Sequence, residues 1–181
     1  MLVKYETENL ILKLLEKPEV GLLIDFLERN CEEFSRYEVK WPDNYLTKEY
    51  QKVFIEGCKK QFLKGDAYRY YLFEKHGDGR IIGCVGFNGI NLGEENSAKI
   101  FYKLDREATG KGYAVEACEC ILREARRELK LHRIEADICP GNDRSMRTAE
   151  RLGFEYEGMA KSAHRIGNEW VDHKRYALVF D

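Results

Sequence analysis

A short turn containing two glycines immediately precedes the clearest helix that the sequence predicts. The turn is Thr109-Gly110-Lys111-Gly112, and the helix spans residues 112–129, with apolar side chains recurring every three or four positions. Glycines lack a Cβ, so a ligand can approach their main chain closely. The unpaired N–H groups and the dipole at the start of the helix would attract an anion such as a pyrophosphate. Taken alone, an ordinary loop that caps a helix explains this turn equally well.

The spacing of these glycines does not match two other phosphate-binding loops. Lys111 follows a glycine but precedes Gly112 instead of the Ser or Thr of a nucleotide-triphosphate loop. The three-glycine spacing of a dinucleotide-binding turn is also missing. Lys111 either adds a positive charge to the turn or points into solvent.

A second helix start carries polar residues suited to a ligand or to capping. The predicted helix spans residues 142–152, where Asn142 or Asp143 can cap its start and Gly153 can end it. Ser145 lies in the first turn, near the positive end of the helix dipole. For Asn142 alone, a purely structural cap is the simpler interpretation.

Hydrophobic periodicity predicts a mixed α/β fold in a single domain of residues 1–181. The expected order is one strand, two helices, three strands, and then a helix, a strand, a helix and two strands. In this order the predicted ranges are residues 10–15, 18–34, 47–64, 68–75, 80–90, 97–104, 112–129, 132–139, 142–152, 154–165 and 169–180. Such an order favours a mixed sheet with helices on both faces.

The charge balance and the cysteines limit which partners and which cellular compartment we expect. The 30 basic and 32 acidic residues give a net charge of -2, which predicts neither a nucleic-acid partner nor binding to an anionic membrane. No apolar run approaches the roughly 20 residues of a membrane span. The six cysteines lack zinc-ligand spacing, and no signal peptide is recognised, so we expect reduced thiols in a cytoplasmic protein without a metal.

The two helix starts, taken together, resemble motifs of the GNAT superfamily of acyl-CoA N-acyltransferases. Residues 109–114 resemble its Arg/Gln-x-x-Gly-x-Gly/Ala pyrophosphate loop, and residues 142–154 resemble the Asn-x-x-Ser…Glu-x-x-Gly-Phe pattern of its RimJ/RimL branch. The resemblance runs from about residue 8 to the C terminus. It implies a mostly antiparallel, splayed sheet, and acetyl transfer from acetyl-CoA to a primary amine by direct attack on the thioester. The amine would belong to a protein N terminus or to a small molecule.

The resemblance also implies roles for individual residues. Main-chain amides of residues 110–114 would hold the CoA pyrophosphate, and the strand at residues 101–104 would pair with the pantetheine arm. Asn142 would hydrogen-bond the pantetheine, and Ser145 would protonate or stabilise the departing thiolate. The implied cofactor-binding residues are Phe101, Tyr102, Lys103, Leu104, Thr109, Gly110, Lys111, Gly112, Tyr113, Ala114 and Asn142, and the implied catalytic residues are Ser145 and Asn142.

Three positions depart from the family pattern. Thr109 replaces the Arg or Gln that opens the loop, and Ala149 stands where many members place an acid tyrosine. Lys99 stands where relatives often carry a glutamate base, a role that lysine cannot take at neutral pH unless burial strongly depresses its pKa. The base is then another residue, or the amine arrives neutral. The candidate bases by chain position are Asp137, Glu155, Glu157 and His164.

Lys99 and Ala149 also leave open the alternative that the protein is catalytically lapsed and only binds CoA or another metabolite. An alternative role for Lys99 is to favour an acidic acceptor. By the resemblance, the acceptor would approach over the first two helices and the last hairpin, although most aromatic residues there are equally explained as core or surface. The residues in question are Phe34, Tyr37, Trp41, Tyr45, His164, Trp170 and His173. A homodimer is implied by the resemblance alone.

Overall fold

The computed structural model describes residues 1–180, which form an eight-stranded sheet with helices on both faces. The strands are β1 (Lys4–Glu6), β2 (Leu10–Lys13), β3 (Tyr68–Glu74), β4 (Gly83–Asn91), β5 (Ser97–Leu104), β6 (Arg133–Ile138), β7 (Glu155–Ile166) and β8 (Glu169–Val179). The helices are α1 (Val20–Ser35), α2 (Lys48–Lys64), α3 (Tyr113–Glu124) and α4 (Asp143–Arg151). Within residues 1–180, none of the helices has the length and apolar character needed to cross a membrane.

The sheet splits open between two neighbouring strands. Its order is β1-β2-β3-β4-β5-β6-β8-β7, and all neighbours are antiparallel except β5 and β6. Those two parallel strands pair only at residues 97–99 and 133–135. Past Lys99, β5 stays bonded to β4 but not to β6, so a V-shaped opening forms toward the carboxyl ends of both strands. The predicted mixed, mostly antiparallel and splayed sheet is therefore confirmed.

Strand alternation separates the two faces of the sheet at this opening. On β6, Ile134, Ala136 and Ile138 are buried in the core that α3 and α4 cover. Because successive side chains point to opposite faces, Glu135 and Asp137 lie on the other face, the one that α1 and α2 cover. The V therefore has an apolar floor on one face and charged side chains on the other.

The predicted helices and strands agree with the structure except at three places. Strand β1 was not predicted, because three residues are too few to show a period. The helix expected at residues 112–129 ends at Glu124 and continues as a π-helical turn, Ala125–Leu129. Strand β4 begins at Gly83, three residues later than expected, although Ile82 already donates its N–H to the Leu72 carbonyl at 2.9 Å.

A buried carboxylate fixes the segment that leads from β5 to the glycine turn. Asp105 follows β5 directly and is 1% exposed. Its Oδ2 accepts hydrogen bonds from Arg29 Nη2 at 2.9 Å and from Asn30 Nδ2 at 3.1 Å, both on α1. Its Oδ1 caps the 3-10 turn Arg106–Ala108 by accepting the Glu107 N–H at 3.0 Å. The Arg106 N–H also donates to Asn30 Oδ1 at 3.1 Å, so the segment before the glycine turn is attached to α1 through Asp105 and Asn30.

The charge of this carboxylate depends on its donors. Burial raises the pKa of Asp105, but the hydrogen bonds from Glu107, Asn30 and Arg29 outweigh burial and hold the net pKa below its ordinary value. A depressed folded-state pKa stabilises the protein above the unfolded pKa, and that stabilisation disappears as the pH falls through the folded pKa.

We expect Asp105→Asn to lower the free energy of unfolding by about 3 kcal/mol at pH 7, because it removes the buried carboxylate that faces the partly buried Arg29 guanidinium. The difference in the free energy of unfolding between the variant and wild type should shrink as the pH falls below about 3.9, the ordinary pKa of Asp. Urea unfolding at several pH values measures both effects. Asp25→Asn is the matched control, because Asp25 contacts the same arginine from an exposed position, and it should cost less than about 1 kcal/mol. Equal losses in the two variants would contradict the role given to Asp105.

Candidate functional site

The glycine turn presents bare main chain to open space at the start of α3. Gly110 and Gly112 have φ values of 81° and 83°, in the left-handed region that side chains disfavour. A Cβ built on either glycine would meet no atom of residues 1–180 within 4 Å, so the described part of the chain leaves the turn uncovered there. Among the described residues, no side chain caps the start of α3. The first N–H groups of this helix are therefore available to an anion.

The polar side chains of the turn bond within the protein. Thr109 Oγ1 donates to the Arg106 carbonyl at 2.8 Å, inside its own turn. Lys111 Nζ lies 3.1 Å from Glu74 Oε1 and 5.6 Å from the centre of the Tyr113 ring. The lysine is thus ion-paired, and the anion-binding capacity of the turn resides in its main chain.

Helix α3 is held in place by a carboxylate that the sequence did not single out. Glu116 Oε1 accepts from Thr7 Oγ1 at 2.6 Å and from the Asn9 N–H at 2.7 Å. Burial raises the pKa of Glu116, while the hydrogen bonds from Thr7 and Asn9 lower it further than burial raises it. The turn between β1 and β2 therefore fixes the first turn of α3 next to the glycines.

The second helix start lies across the V from β5 and is joined to it. Asn142 Oδ1 accepts the Ser145 N–H at 3.1 Å, so Asn142 is the N-cap of α4. Tyr102 Oη donates to the Ser145 carbonyl at 2.9 Å and connects β5 with α4. Burial raises the pKa of Tyr102, which keeps its phenol protonated. Tyr102, Asn142 and Ser145, expected at the site from the sequence, are brought together.

On the α1 and α2 face, four charged or titratable side chains meet where β5 and β6 separate. The Asp137 side chain is 4% exposed, and its Oδ2 lies 2.6 Å from Lys99 Nζ and 3.0 Å from His164 Nε2. Its Oδ1 accepts from Arg175 Nε at 3.1 Å. Burial raises the pKa of Asp137, but the bonds from Lys99, His164 and Arg175 bring it well below its ordinary value. Lys99 is accordingly ion-paired, and Asp137 is a weak proton acceptor.

The other two candidate bases lie elsewhere. Glu157 Oε1 accepts from Arg133 Nη1 at 2.8 Å, beside the first residue of β6, where β5 and β6 are still paired. That hydrogen bond lowers the pKa of Glu157. Glu155 is exposed at the start of β7. Of the four candidates, Asp137 and His164 are the ones at the point where the V opens.

The segment after α1 meets the tip of the β7–β8 hairpin across this face. Val39 forms an isolated parallel bridge with Gly167, whose N–H donates to the Glu38 carbonyl at 3.0 Å. The Glu38 carboxylate lies 2.6 Å from Lys103 Nζ on β5 and accepts from Trp41 Nε1 at 3.0 Å. These contacts form one wall beside the V.

The aromatic residues predicted near the acceptor divide between this wall and the core. Trp41 and Tyr45 stack with ring centroids 4.6 Å apart, and burial raises the pKa of Tyr45 to about 12. Phe34 and His173 are buried, Trp170 is exposed, and Tyr37 is half-buried. Phe34 belongs to the core under α1.

A stacked pair on the same face was not foreseen from the sequence. Arg69, Gly86 and Phe101 occupy paired positions on β3, β4 and β5. The Arg69 guanidinium lies 4.2 Å from the centre of the Phe101 ring. A Cβ on Gly86 would come within 2.6 Å of Phe101 Cζ and 1.9 Å of the Tyr68 carbonyl oxygen. Glycine is required between the two stacked side chains.

Comparisons with known proteins find similar sequences and similar folds. Residues 10–155 match the model of the acetyltransferase (GNAT) domain family. YjcK of Bacillus subtilis, a probable N-acetyltransferase, is 36% identical over 150 residues, which cover 83% of this chain and 82% of that protein. Ribosomal-protein-S5-alanine acetyltransferase of Vibrio fischeri superposes with a TM-score of 0.92 at 26% identity, covering 99% of this chain and 98% of its own. The ribosomal L7/L12 α-N-protein acetyltransferase RimL, solved with coenzyme A, shares the fold with a TM-score of 0.86 at 23% identity, covering 97% and 96%.

We expect Gly86→Ala to destabilise the protein by about 3 kcal/mol, because the added methyl group overlaps a carbonyl oxygen of the neighbouring strand. Urea unfolding gives the free energy. Gly21→Ala in α1 is the matched control, since a Cβ there meets nothing within 4 Å. Alanine in a helix is favoured over glycine by up to about 1 kcal/mol, so the control should be neutral or stabilising. A Gly86 variant as stable as wild type would contradict the close packing described here.

Proposed function

The chain belongs to the GNAT acetyltransferase family, and we propose that it acetylates the α-amino group at the N terminus of a protein. Its enzymatic activity is N-acetyl transfer. The catalytically lapsed alternative is not favoured, because relatives that match most of the chain are N-acetyltransferases. The protein acceptor is supported chiefly by the full-length similarity to an acetyltransferase of ribosomal protein S5.

In this proposal acetyl-CoA enters the V between β5 and β6. Its pyrophosphate binds the main-chain N–H groups of residues 110–114, where the open space around Gly110 and Gly112 admits a phosphate. The pantetheine arm pairs with the edge of β5 beyond Lys99, which has no strand beside it on that side within residues 1–180. Asn142 supports this placement of the pantetheine. Its Oδ1 caps α4, whereas its Nδ2 has no hydrogen-bond partner within residues 1–180 and can donate to the pantetheine. The thioester then lies near Ser145.

The reaction follows from this placement. The neutral amine attacks the thioester carbonyl carbon, a C–N bond forms, and the C–S bond breaks. The departing thiolate takes a proton, and the nitrogen loses one. Ser145, in the first turn of α4, is suited to donating a hydrogen bond to the thiolate, because the helix dipole also favours negative charge there. Tyr102 holds this turn of α4 against β5 and thereby fixes the distance between the two sides of the V.

The cytoplasm is the proposed compartment for the reaction. Support comes from the cysteines, all six of which are free, as is typical of a reducing environment. The homodimer implied by the family resemblance, and the lack of a nucleic-acid partner, stay predictions.

We expect the purified protein to release CoA thiol when it is mixed with acetyl-CoA and short peptides that carry a free N terminus. Peptides with a blocked N terminus should give no release. Ser145→Ala should lower kcat by about 100-fold, the usual effect of removing one donor to a developing negative charge, with little change in the KM for acetyl-CoA.

Thr148→Ala, one turn along the same helix, serves as the control and should keep wild-type kcat. Transfer to polyamines or free amino acids but to no peptide would overturn the proposed acceptor. A Ser145 variant with wild-type kcat would remove that residue from the mechanism.

We also expect Gly112→Ala to weaken CoA binding at least tenfold, because a side chain strains the left-handed backbone and projects into the space given to the pyrophosphate. Isothermal titration with CoA measures the change. Gly89→Ala is the control. Gly89 also has a positive φ and open surroundings, but it lies at the opposite end of the sheet opening, so this variant should bind CoA as tightly as wild type. Equal affinities for wild type and Gly112→Ala would place the pyrophosphate elsewhere.

A further inference from the structure

The titratable side chain of His164 stands beside the point where β5 and β6 separate. The last residues that pair these strands are Lys99 and Glu135, and Asp137 lies two residues farther along β6. Lys99 Nζ contacts the Asp137 carboxylate at 2.6 Å, so this cluster closes the narrow end of the V. His164, on β7, contacts the same carboxylate at 3.0 Å. The cluster lies on the α1 and α2 face, opposite the apolar floor, where an amine can approach the thioester.

We propose that His164, oriented by Asp137, is the base that accepts the proton from the attacking amine. This inference rests on the acetyl transfer proposed above. Lys99 occupies the position at which relatives often carry a glutamate base, and His164 would supply the base in its place. Asp137 is a positioning residue in this scheme, because it acts through the imidazole.

The hydrogen-bond pattern fixes which imidazole nitrogen is free. Asp137 is ionised by its contacts with Lys99 and Arg175, and an ionised carboxylate only accepts hydrogen bonds. His164 Nε2 therefore carries the proton and donates it to Asp137 Oδ2. Nδ1 is then the basic nitrogen, and it has no hydrogen-bond partner within residues 1–180. The side chain is 45% exposed, so a substrate can reach it.

The groups around His164 favour this assignment. Lys99 faces the cluster from β5, Asp137 from β6, and Arg175 and His173 from β8. The two cations neutralise Asp137, which makes the carboxylate a poor base, whereas the neighbouring imidazole keeps a ring nitrogen with a free lone pair. His173 is buried and packs edge-on against His164 with ring centroids 4.7 Å apart, which holds the ring in place.

The proton balance of the step is simple. As the amine nitrogen bonds to the carbonyl carbon, its proton passes to Nδ1 of His164. The C–S bond breaks, and the thiolate, which accepts a hydrogen bond from Ser145, takes a proton from solvent. The imidazolium then returns its proton to solvent, which restores the enzyme.

Steady-state kinetics of the full chain with acetyl-CoA and an accepted peptide test the proposal. His164→Asn should lower kcat/KM by roughly 100- to 10,000-fold, the usual range for loss of a general base. It should also remove the ionisation through which wild-type kcat/KM rises with pH. Added imidazole should partly restore His164→Ala. His132→Asn is the control and should behave as wild type, because His132 is exposed and lies just before β6, beyond the paired residues and away from the opening.

Two results would overturn the proposal. One is His164→Asn with wild-type kcat/KM and an unchanged pH profile, which would leave the acetyl transfer itself standing. The other is a nitrogen-15 NMR spectrum of the unliganded protein in which the neutral His164 ring carries its proton on Nδ1, a readout that does not depend on turnover. A proton on Nε2 that is lost in Asp137→Asn would support the role given to Asp137.

Discussion

The early separation of two parallel strands is the constraint from which the site follows. Strands β5 and β6 pair over residues 97–99 and 133–135 and then diverge, which leaves main-chain groups of β5 without a neighbouring strand on one edge. Such groups need a hydrogen-bond partner when they are buried. An extended ligand that lies in the opening supplies one, as an added strand does in β-augmentation. The free edge of β5 is therefore suited to pairing with an extended ligand.

Four interactions hold the opening in shape. Asp105 ties the end of β5 to α1, and Glu116 ties the start of α3 to the β1–β2 turn. Tyr102 joins β5 to α4 across the wide end of the V, while Asp137 gathers three cationic or titratable side chains at its narrow end. Each combines a hydrogen-bonding side chain with a partner distant in sequence, so the ligand meets a site that is already organised.

Local patterns in the sequence predicted much of this arrangement, and long-range contacts supplied the rest. The periodicity of β6 and α3 and the glycines before α3 placed these elements correctly, since period and turn chemistry are local properties. The Arg29–Asp105 and Lys99–Asp137 pairs join residues 76 and 38 positions apart, which no local pattern encodes. The need for glycine at residue 86 likewise arises from atoms on β3 and β5. Lys99 was recognised as unusual, but its partner became visible only when β5 and β6 were placed side by side.

The most direct test of this account is a crystal structure of the protein with acetyl-CoA. We predict that the pyrophosphate lies on the main-chain N–H groups of residues 110–114 and that the pantetheine runs along the free edge of β5. The acetyl carbonyl should lie between Ser145 on one face and the His164 and Asp137 pair on the other. Acetyl-CoA bound outside the V, or a V closed by continued pairing of β5 with β6, would contradict the account.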